Sequence, residues 1–306
     1  MTRKIPFSMR VKAWWQGYDL RVKERPLEIP DEEPPHHNIT YERERMPWET
    51  ERIELVQALW GTGMVSPGNP EFIQDMVKPL GLNNEMSVLD MGAGLGGSAR
   101  VMAESFGAWV TALEEDPALA EAGAAMSEAA GMSRRAPVSY SNLSEAELKP
   151  RGYDAIFSKD AFFRIIDKEH LLDHLVKALK PRGQLLFTDY VVDAPESLDG
   201  PLKEWWDKEP MAPHPWTAAE YQRNLVSRNI EIRVQEDITH RFVQMIRSSW
   251  AEYLDHTHNA RPPEEMAKVM MSEAELWTGR ASAMESGHLR VYRFHGIFHG
   301  GKQTRR

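Results

Sequence analysis

The chain has 306 residues, 42% hydrophobic and 27% charged, with a formal net charge of −9 and no cysteine. That length and composition support a full buried core and exclude general disorder. The missing cysteines exclude disulfides, thiolate metal sites and a cysteine nucleophile. The acidic balance speaks against a broad surface for a polyanion, so no nucleic-acid partner is expected. No apolar run reaches bilayer length, and Met1-Thr2-Arg3-Lys4-Ile5-Pro6 lacks the apolar core of a signal peptide. The expectation is a soluble cytoplasmic protein with no transmembrane segment; its oligomeric state is left open.

Residues 1 to about 50 differ from the rest. Val11–Leu20 has the spacing of a short helix carrying Trp14, Trp15 and Tyr18, and the proline-rich, acidic stretch from Arg25 to His37 reads as extended. The tryptophans either clamp this arm onto a core or form part of a lid. His36 and His37 are adjacent without a third ligand at helical spacing, so they read as surface residues and no metal site is expected. The expected organisation is an arm or lid over residues 1–55 and one domain over 56–306, with a helical insertion at about 240–286.

Helices are predicted from Trp48 to Leu59 and from Pro70 to Pro79, the second leading through Gly81 to a first strand ending at Leu89. Asp90, Gly92, Gly94, Gly96 and Gly97 then form a turn into a helix over Ser98–Phe106. The strand Trp109–Leu113 ends in Glu114, and Asp116-Pro117 reads as N-cap and first residue of a helix that stops at Gly131. Further strands are expected over Pro137–Tyr140, Tyr153–Asp160 and Gln184–Val192. A helix fills Lys168–Leu179, ending at Lys180-Pro181-Arg182-Gly183. Residues 194–216 are rich in proline and tryptophan and, with the arm, are expected to order over the crevice. A helix over Thr217–Asn229, a strand over Ile230–Ile238, about 50 residues of helical pattern and a strand over His288–Phe294 close the chain. Alternating strands and helices predict an α/β fold with a doubly wound, mostly parallel sheet.

A glycine-rich turn at a helix N-terminus suits a nucleotide-like ligand, because bare backbone allows close approach and the first N–H groups are unpaired. The acid before the glycines, Asp90, replaces the apolar position of dinucleotide fingerprints. It suits a ligand whose far end is an amino acid with an ammonium group, while Glu114 is placed to accept two ribose hydroxyls.

This pair resembles motif I and its acidic partner in the class I S-adenosylmethionine-dependent methyltransferases. Leu59-Trp60-Gly61 through Val65-Ser66-Pro67-Gly68, Ser158-Lys159-Asp160, Leu179-Lys180-Pro181 and Thr188-Asp189-Tyr190 resemble more narrowly the phosphoethanolamine and small-amine N-methyltransferases, over residues 55–240. The resemblance implies a Rossmann-like, seven-stranded sheet whose last strand is antiparallel, and S-adenosylmethionine as cofactor. It implies that Asp90, Gly92 and Gly94 hold the methionine part, Glu114 the ribose and Asn142 the adenine, although a surface Asn is an equal reading. It also implies Ser66 near the cofactor, Ser158 and Asp160 along the crevice, Tyr190 facing the substrate and Arg280 against an anionic substrate group.

Two positions depart from that pattern: Trp48 stands where the family has a tyrosine and Arg164 where it has a histidine. Neither serves as a general base at neutral pH. Asp160, Tyr190, Tyr221, His240, His256 and His258 are the remaining candidates to manage a proton. Trp48, Trp60, Trp205, Trp206, Trp216, Trp250 and Trp277 supply either a cage for a methylated ammonium or ordinary packing. The function expected is methyl transfer to a small molecule or lipid precursor, with phosphoethanolamine a poor acceptor because Arg164 repels an amine cation. Alternatives are C-methylation of an apolar lipid and a catalytically silent cofactor-binding subunit.

Overall fold

The computed structural model describes residues 46–193, 199–257 and 262–300. Expectations for Trp14, Trp15, Tyr18, His36, His37, His258 and the arm before Met46 lie outside the described residues. The unit that begins at Met46 is built on one sheet of seven strands. These are β1 (Ser87–Met91), β2 (Trp109–Glu114), β3 (Val138–Tyr140), β4 (Tyr153–Lys159), β5 (Leu179–Val192), β6 (Ile230–Asp237) and β7 (Leu289–Phe298). Their order is β3-β2-β1-β4-β5-β7-β6. β1 to β5 run parallel, and β7 inserts antiparallel between β5 and β6. The sheet is therefore the mostly parallel, doubly wound one expected. Strand order reverses between β1 and β4, which opens a crevice at the carboxyl ends of those strands.

Local chemistry sets the flanking helices. In α1 (Thr50–Trp60) the buried positions are Arg52, Leu55, Val56, Leu59 and Trp60, one face at helical spacing. In α2 (Pro70–Val77) the Asn69 side chain accepts from Phe72 N–H. The turn after β1 enters α3 (Gly97–Phe106). Asp116 caps α4 (Pro117–Ala129) by accepting from Ala118 and Leu119 N–H, with Pro117 in the first turn. On one face of the sheet, Leu171, Leu172 and Leu175 of α5 (Lys168–Ala178) bury against Leu89, Ile156, Leu185 and Phe187.

Two segments differ from the sequence expectation. β5 begins at Leu179 rather than Gln184, because Leu179 pairs with Tyr153 before the register shifts between Tyr153 and Ala155. Residues 200–208 form a helix, α6 (Gly200–Lys208), whose Trp205 is fully buried against Phe163 and Tyr190. The described part of the Pro/Trp-rich stretch is thus packed into the fold. α7 (Ala218–Ser227) precedes β6, and the helical insertion resolves into α8 (Thr239–Thr257) and α9 (Glu264–Glu285).

α3 starts against the loop after α1. Gly97 N–H donates to Gly63 O at 3.0 Å, and a Cβ on Gly97 would lie 2.5 Å from that oxygen. Both sides of the contact are backbone, so neither yields by rotating a side chain. Gly97→Ala is expected to destabilise by about 1–3 kcal/mol, the usual cost of overpacking. A lower urea midpoint with unchanged slope checks it.

Candidate active site

The β1–α3 turn sits at the strand-order switch. Gly92 and Gly94 have φ of +74° and +56°, and added Cβ atoms would lie 2.4 Å from Ala161 Cβ and 2.7 Å from Val65 Cγ2. Conformation and space both demand glycine there. The Glu114 carboxylate is buried at the end of β2, where Oε2 accepts from Gly94 N–H at 2.7 Å and Oε1 from Asp116 N–H at 2.9 Å. Burial raises its pKa, with those two backbone donors opposing the shift. Asp90 is 1% exposed, and its Oδ2 has no hydrogen-bond partner. Burial and then the Glu114 charge push its pKa up to about 7. An unpartnered carboxylate oxygen held this way is costly until a donor arrives. The ammonium end of S-adenosylmethionine fits that requirement, and Glu114 keeps acceptor capacity for hydroxyls.

Across the turn, the end of β4 carries a second polar cluster. Asp160 takes φ +55°, a left-handed conformation that Asp tolerates better than most residues. Its Oδ1 accepts from Thr188 Oγ1 at 2.8 Å, and its Oδ2 from Ser66 Oγ at 3.2 Å. Lys159 Nζ is buried, 3.4 Å from Asp160 Oδ2. It donates to Ser66 O at 3.4 Å, Pro67 O at 3.1 Å and Ser66 Oγ. Burial lowers the Lys159 pKa while Asp160 opposes the shift. This lysine, which the sequence analysis passed over, therefore clamps the Ser66-Pro67 loop onto the strand end.

The far half of the cleft is walled by α1, α9 and the residues after β4 and β5. Arg52 Nε donates to Glu273 Oε1 at 2.6 Å, and Trp277 Nε1 donates to the other oxygen, Oε2, at 2.9 Å. Arg280 donates from Nε and Nη2 to both oxygens of Glu209, at 2.7 and 2.8 Å, with both side chains 5% exposed or less. Burial works to lower the Arg280 pKa, but Glu209 carries it above the usual range, so the pair stays ionised. Trp48 lies just outside α1, and the Arg52 guanidinium stacks 3.7 Å from its ring centroid. Tyr190 is buried with its hydroxyl unpartnered, and burial drives its pKa well above the usual phenol range. Arg164, in a short 3-10 turn, lies half-buried with its guanidinium 5.0 Å from the Phe163 ring centroid.

The structure brings Ser66, Gly92, Gly94, Glu114, Asp160, Arg164, Tyr190, Arg280 and Trp48 into the lining of one cavity. Asp90 lies beneath the turn. Three sequence-derived roles do not match the geometry. Ser158 is fully buried and spends its hydroxyl on Met91 O at 2.7 Å, tying β4 to β1 instead of lining the cleft. Asn142 is exposed and caps its own turn through Ser144 N–H, at 3.0 Å; its neighbour Leu143 lines the cavity instead. Arg280 does line the cavity, but its guanidinium is occupied by Glu209 rather than open to a substrate anion. Tyr221 donates to Asp189 inside the core. His240 and His256 lie outside this cavity.

Glu115, Glu209 and Glu273 were missed. Glu273, Trp277 and Arg280 share a helical face at i, i+4 and i+7, a pattern in the sequence that would have exposed Glu273. Breaking the Arg280–Glu209 pair strands a buried charge, so Glu209→Gln is expected to cost about 3–5 kcal/mol. Glu209→Leu combined with Arg280→Met removes both charges and should cost less than Glu209→Leu alone or Arg280→Met alone. Urea denaturation of the four-member cycle checks it.

The comparisons fit this geometry. Residues 68–233, more than half of the chain, match the family model described as "Methyltransferase domain". The glycine/sarcosine/dimethylglycine N-methyltransferase of Actinopolyspora halophila is 26% identical over 125 residues, which is 41% of this chain and 22% of that protein. The phosphoethanolamine N-methyltransferase of Plasmodium falciparum is 24% identical over 221 residues, 72% of this chain and 79% of that protein. The chain thus spans well under two thirds of the first relative's length. Phosphoethanolamine N-methyltransferase 2 of Haemonchus contortus, solved with S-adenosyl-L-methionine, superposes with a TM-score of 0.70 at 22% identity, over 80% of this chain and 56% of that one. The chain belongs to the methyltransferase domain family, in its class I, S-adenosylmethionine-dependent group.

Proposed function

We propose that this chain binds S-adenosylmethionine at the β1–α3 turn and transfers its methyl group to a small molecule held in the same cleft. One observation carries the reading. A buried, unpartnered Asp90 oxygen and the Glu114 carboxylate flank a turn that admits no side chain. Asp90 would hold the ammonium end and Glu114 the ribose hydroxyls, with Ser66, Gly92 and Gly94 at the walls between them. The cofactor supplies an electrophilic methyl group. The protein's part is to position the acceptor, exclude water and shape the field. The domain reading proposed is a methyltransferase domain that includes α1 and so begins near residue 46 rather than 56, with the segment before it as an arm or lid.

Isothermal titration calorimetry tests the cofactor. One site for S-adenosylmethionine and S-adenosylhomocysteine is expected. Glu114→Ala should weaken both by roughly 30–150-fold, the loss of charge-assisted bonds to two hydroxyls. Binding of NAD with neither sulfur ligand would overturn the assignment.

The Asp90 carboxyl adds a pH dependence. Its native pKa near 7 lies above the unfolded value near 4, so the native state holds this proton more tightly. Stability of the ligand-free protein should fall as pH rises from about 4 to 7 and level off beyond. An ammonium ligand needs the ionised form, so S-adenosylhomocysteine should bind roughly eightfold tighter at pH 7.5 than at pH 6. Calorimetry at the two values checks this, and Asp90→Asn should abolish the difference.

A further inference from the structure

The groups that face the acceptor half of the cleft are almost all committed to one another. Asp160 is held by Thr188, Ser66 and Lys159; Glu273 by Arg52 and Trp277; and Glu209 by Arg280 and Trp205. Glu114 belongs to the cofactor half. Tyr190 stays protonated in its buried seat. No histidine lines the cavity among the described residues. Among the described residues the cleft therefore offers no uncommitted base apart from Glu115 at the cofactor edge. Amine cations and alcohols must shed a proton during or before methyl transfer, whereas a carboxylate is already a nucleophile at neutral pH.

Arg164 is the complementary observation. It lines the cavity, is half-buried and has no carboxylate within 4.0 Å among the described residues. Glu115, Glu114 and Glu209 feel its charge only through space. The other cations of the cavity, Arg52, Lys159 and Arg280, each have an anionic partner. A planar guanidinium with open donors beside a ring suits a carboxylate, which it can grip by one or both oxygens. Trp48, Phe163, Leu276 and Trp277 add apolar wall for a hydrophobic body behind it.

Resting on the methyltransferase reading above, we infer that the acceptor is a small carboxylic acid with an apolar or aromatic body. Arg164 anchors it as the carboxylate, and the product is its methyl ester. In this step a carboxylate oxygen lone pair forms the O–CH3 bond while the C–S bond of the sulfonium breaks, its electron pair going to sulfur. A carboxylate and a sulfonium become a neutral ester and a neutral thioether, and no proton is gained or lost. Opposite charges that vanish together react faster in a dry cavity than in water. The ester leaves Arg164 without its anion, which weakens product binding and favours release.

The test uses the full chain with methyl-tritiated S-adenosylmethionine and matched acceptors. The acids are octanoate, benzoate, phenylacetate and indole-3-acetate; the amines are octylamine, benzylamine, tryptamine and phosphoethanolamine. Methyl esters release volatile methanol in alkali, and N-methyl products do not, so the label itself reports the bond formed. The expected result is alkali-labile label with at least one acid and little label on amines. Calorimetric binding of that acid to the S-adenosylhomocysteine complex should weaken by about 10–150-fold in Arg164→Gln, with KM rising in step and cofactor affinity unchanged. Arg164→Lys keeps the charge and should lose less than Arg164→Gln. Normal cofactor binding with label only on amines, or with no acid labelled, overturns the carboxylate inference and leaves the methyltransferase reading standing. Failure to bind either sulfur ligand overturns that reading itself.

Discussion

The constraint on which the rest depends is the absence of space for a single Cβ around the β1–α3 turn. Ala161 closes on Gly92, Val65 on Gly94, Val138 on Gly96 and the Gly63 carbonyl on Gly97. These contacts come from the loop after α1, from β3 and from the residues following β4, so three separate pieces of chain fix the turn's position. In return the turn presents the Gly94 N–H to Glu114 and leaves Asp90 buried beneath it. A loose turn would let water reach Asp90 and satisfy its oxygen, and the selective pull on a cationic ligand would weaken.

A second feature is how the cleft manages its charge. Burying Arg280 with Glu209 and Arg52 with Glu273 costs desolvation that their attraction barely offsets, so neither pair explains stability. What they do is make rigid, satisfied walls from α1, α6 and α9, with Trp205 and Trp277 supplying the remaining hydrogen bonds. Lys159 does the same for the Ser66-Pro67 loop. Once those groups are matched internally, Arg164 is the one cation among the described residues of the cavity with no carboxylate within 4.0 Å, and this contrast gives the acceptor half its character.

Much of the fold was legible because its signals are local. Asp116-Pro117 caps a helix whatever surrounds it, and glycine after a short apolar strand imposes a turn by steric exclusion alone. The strands of the parallel core are continuous apolar runs, Val88-Leu89 and Ala155-Ile156-Phe157, bounded by turn residues. α6 was not legible, since Pro201, Trp205 and Trp206 read as loop punctuation and become helical by burying Trp205 between Phe163 and Tyr190. The early start of β5 was hidden for a related reason. Leu179 completes the periodicity of α5, and only its pairing with Tyr153 assigns it to the sheet.

The candidate site divides along the same line. By itself the sequence determined the cofactor half: an acid, a glycine turn and a second acid at the next strand end lie close in the chain, and backbone geometry leaves them few arrangements. Tertiary structure alone decided the acceptor half, because its side chains come from α1, α6, α9 and two strand ends, with Arg52 and Glu273 lying 221 residues apart. Arg280 read as an open anion holder until Glu209, 71 residues away, was seen to fill its fork. Ser158 and Asn142 sat at plausible strand ends, yet Met91 O and a local turn claimed their side chains. Hydrogen-bond donors are short-range and saturable, so a residue's availability depends on which neighbour reaches it first, and that is a property of packing.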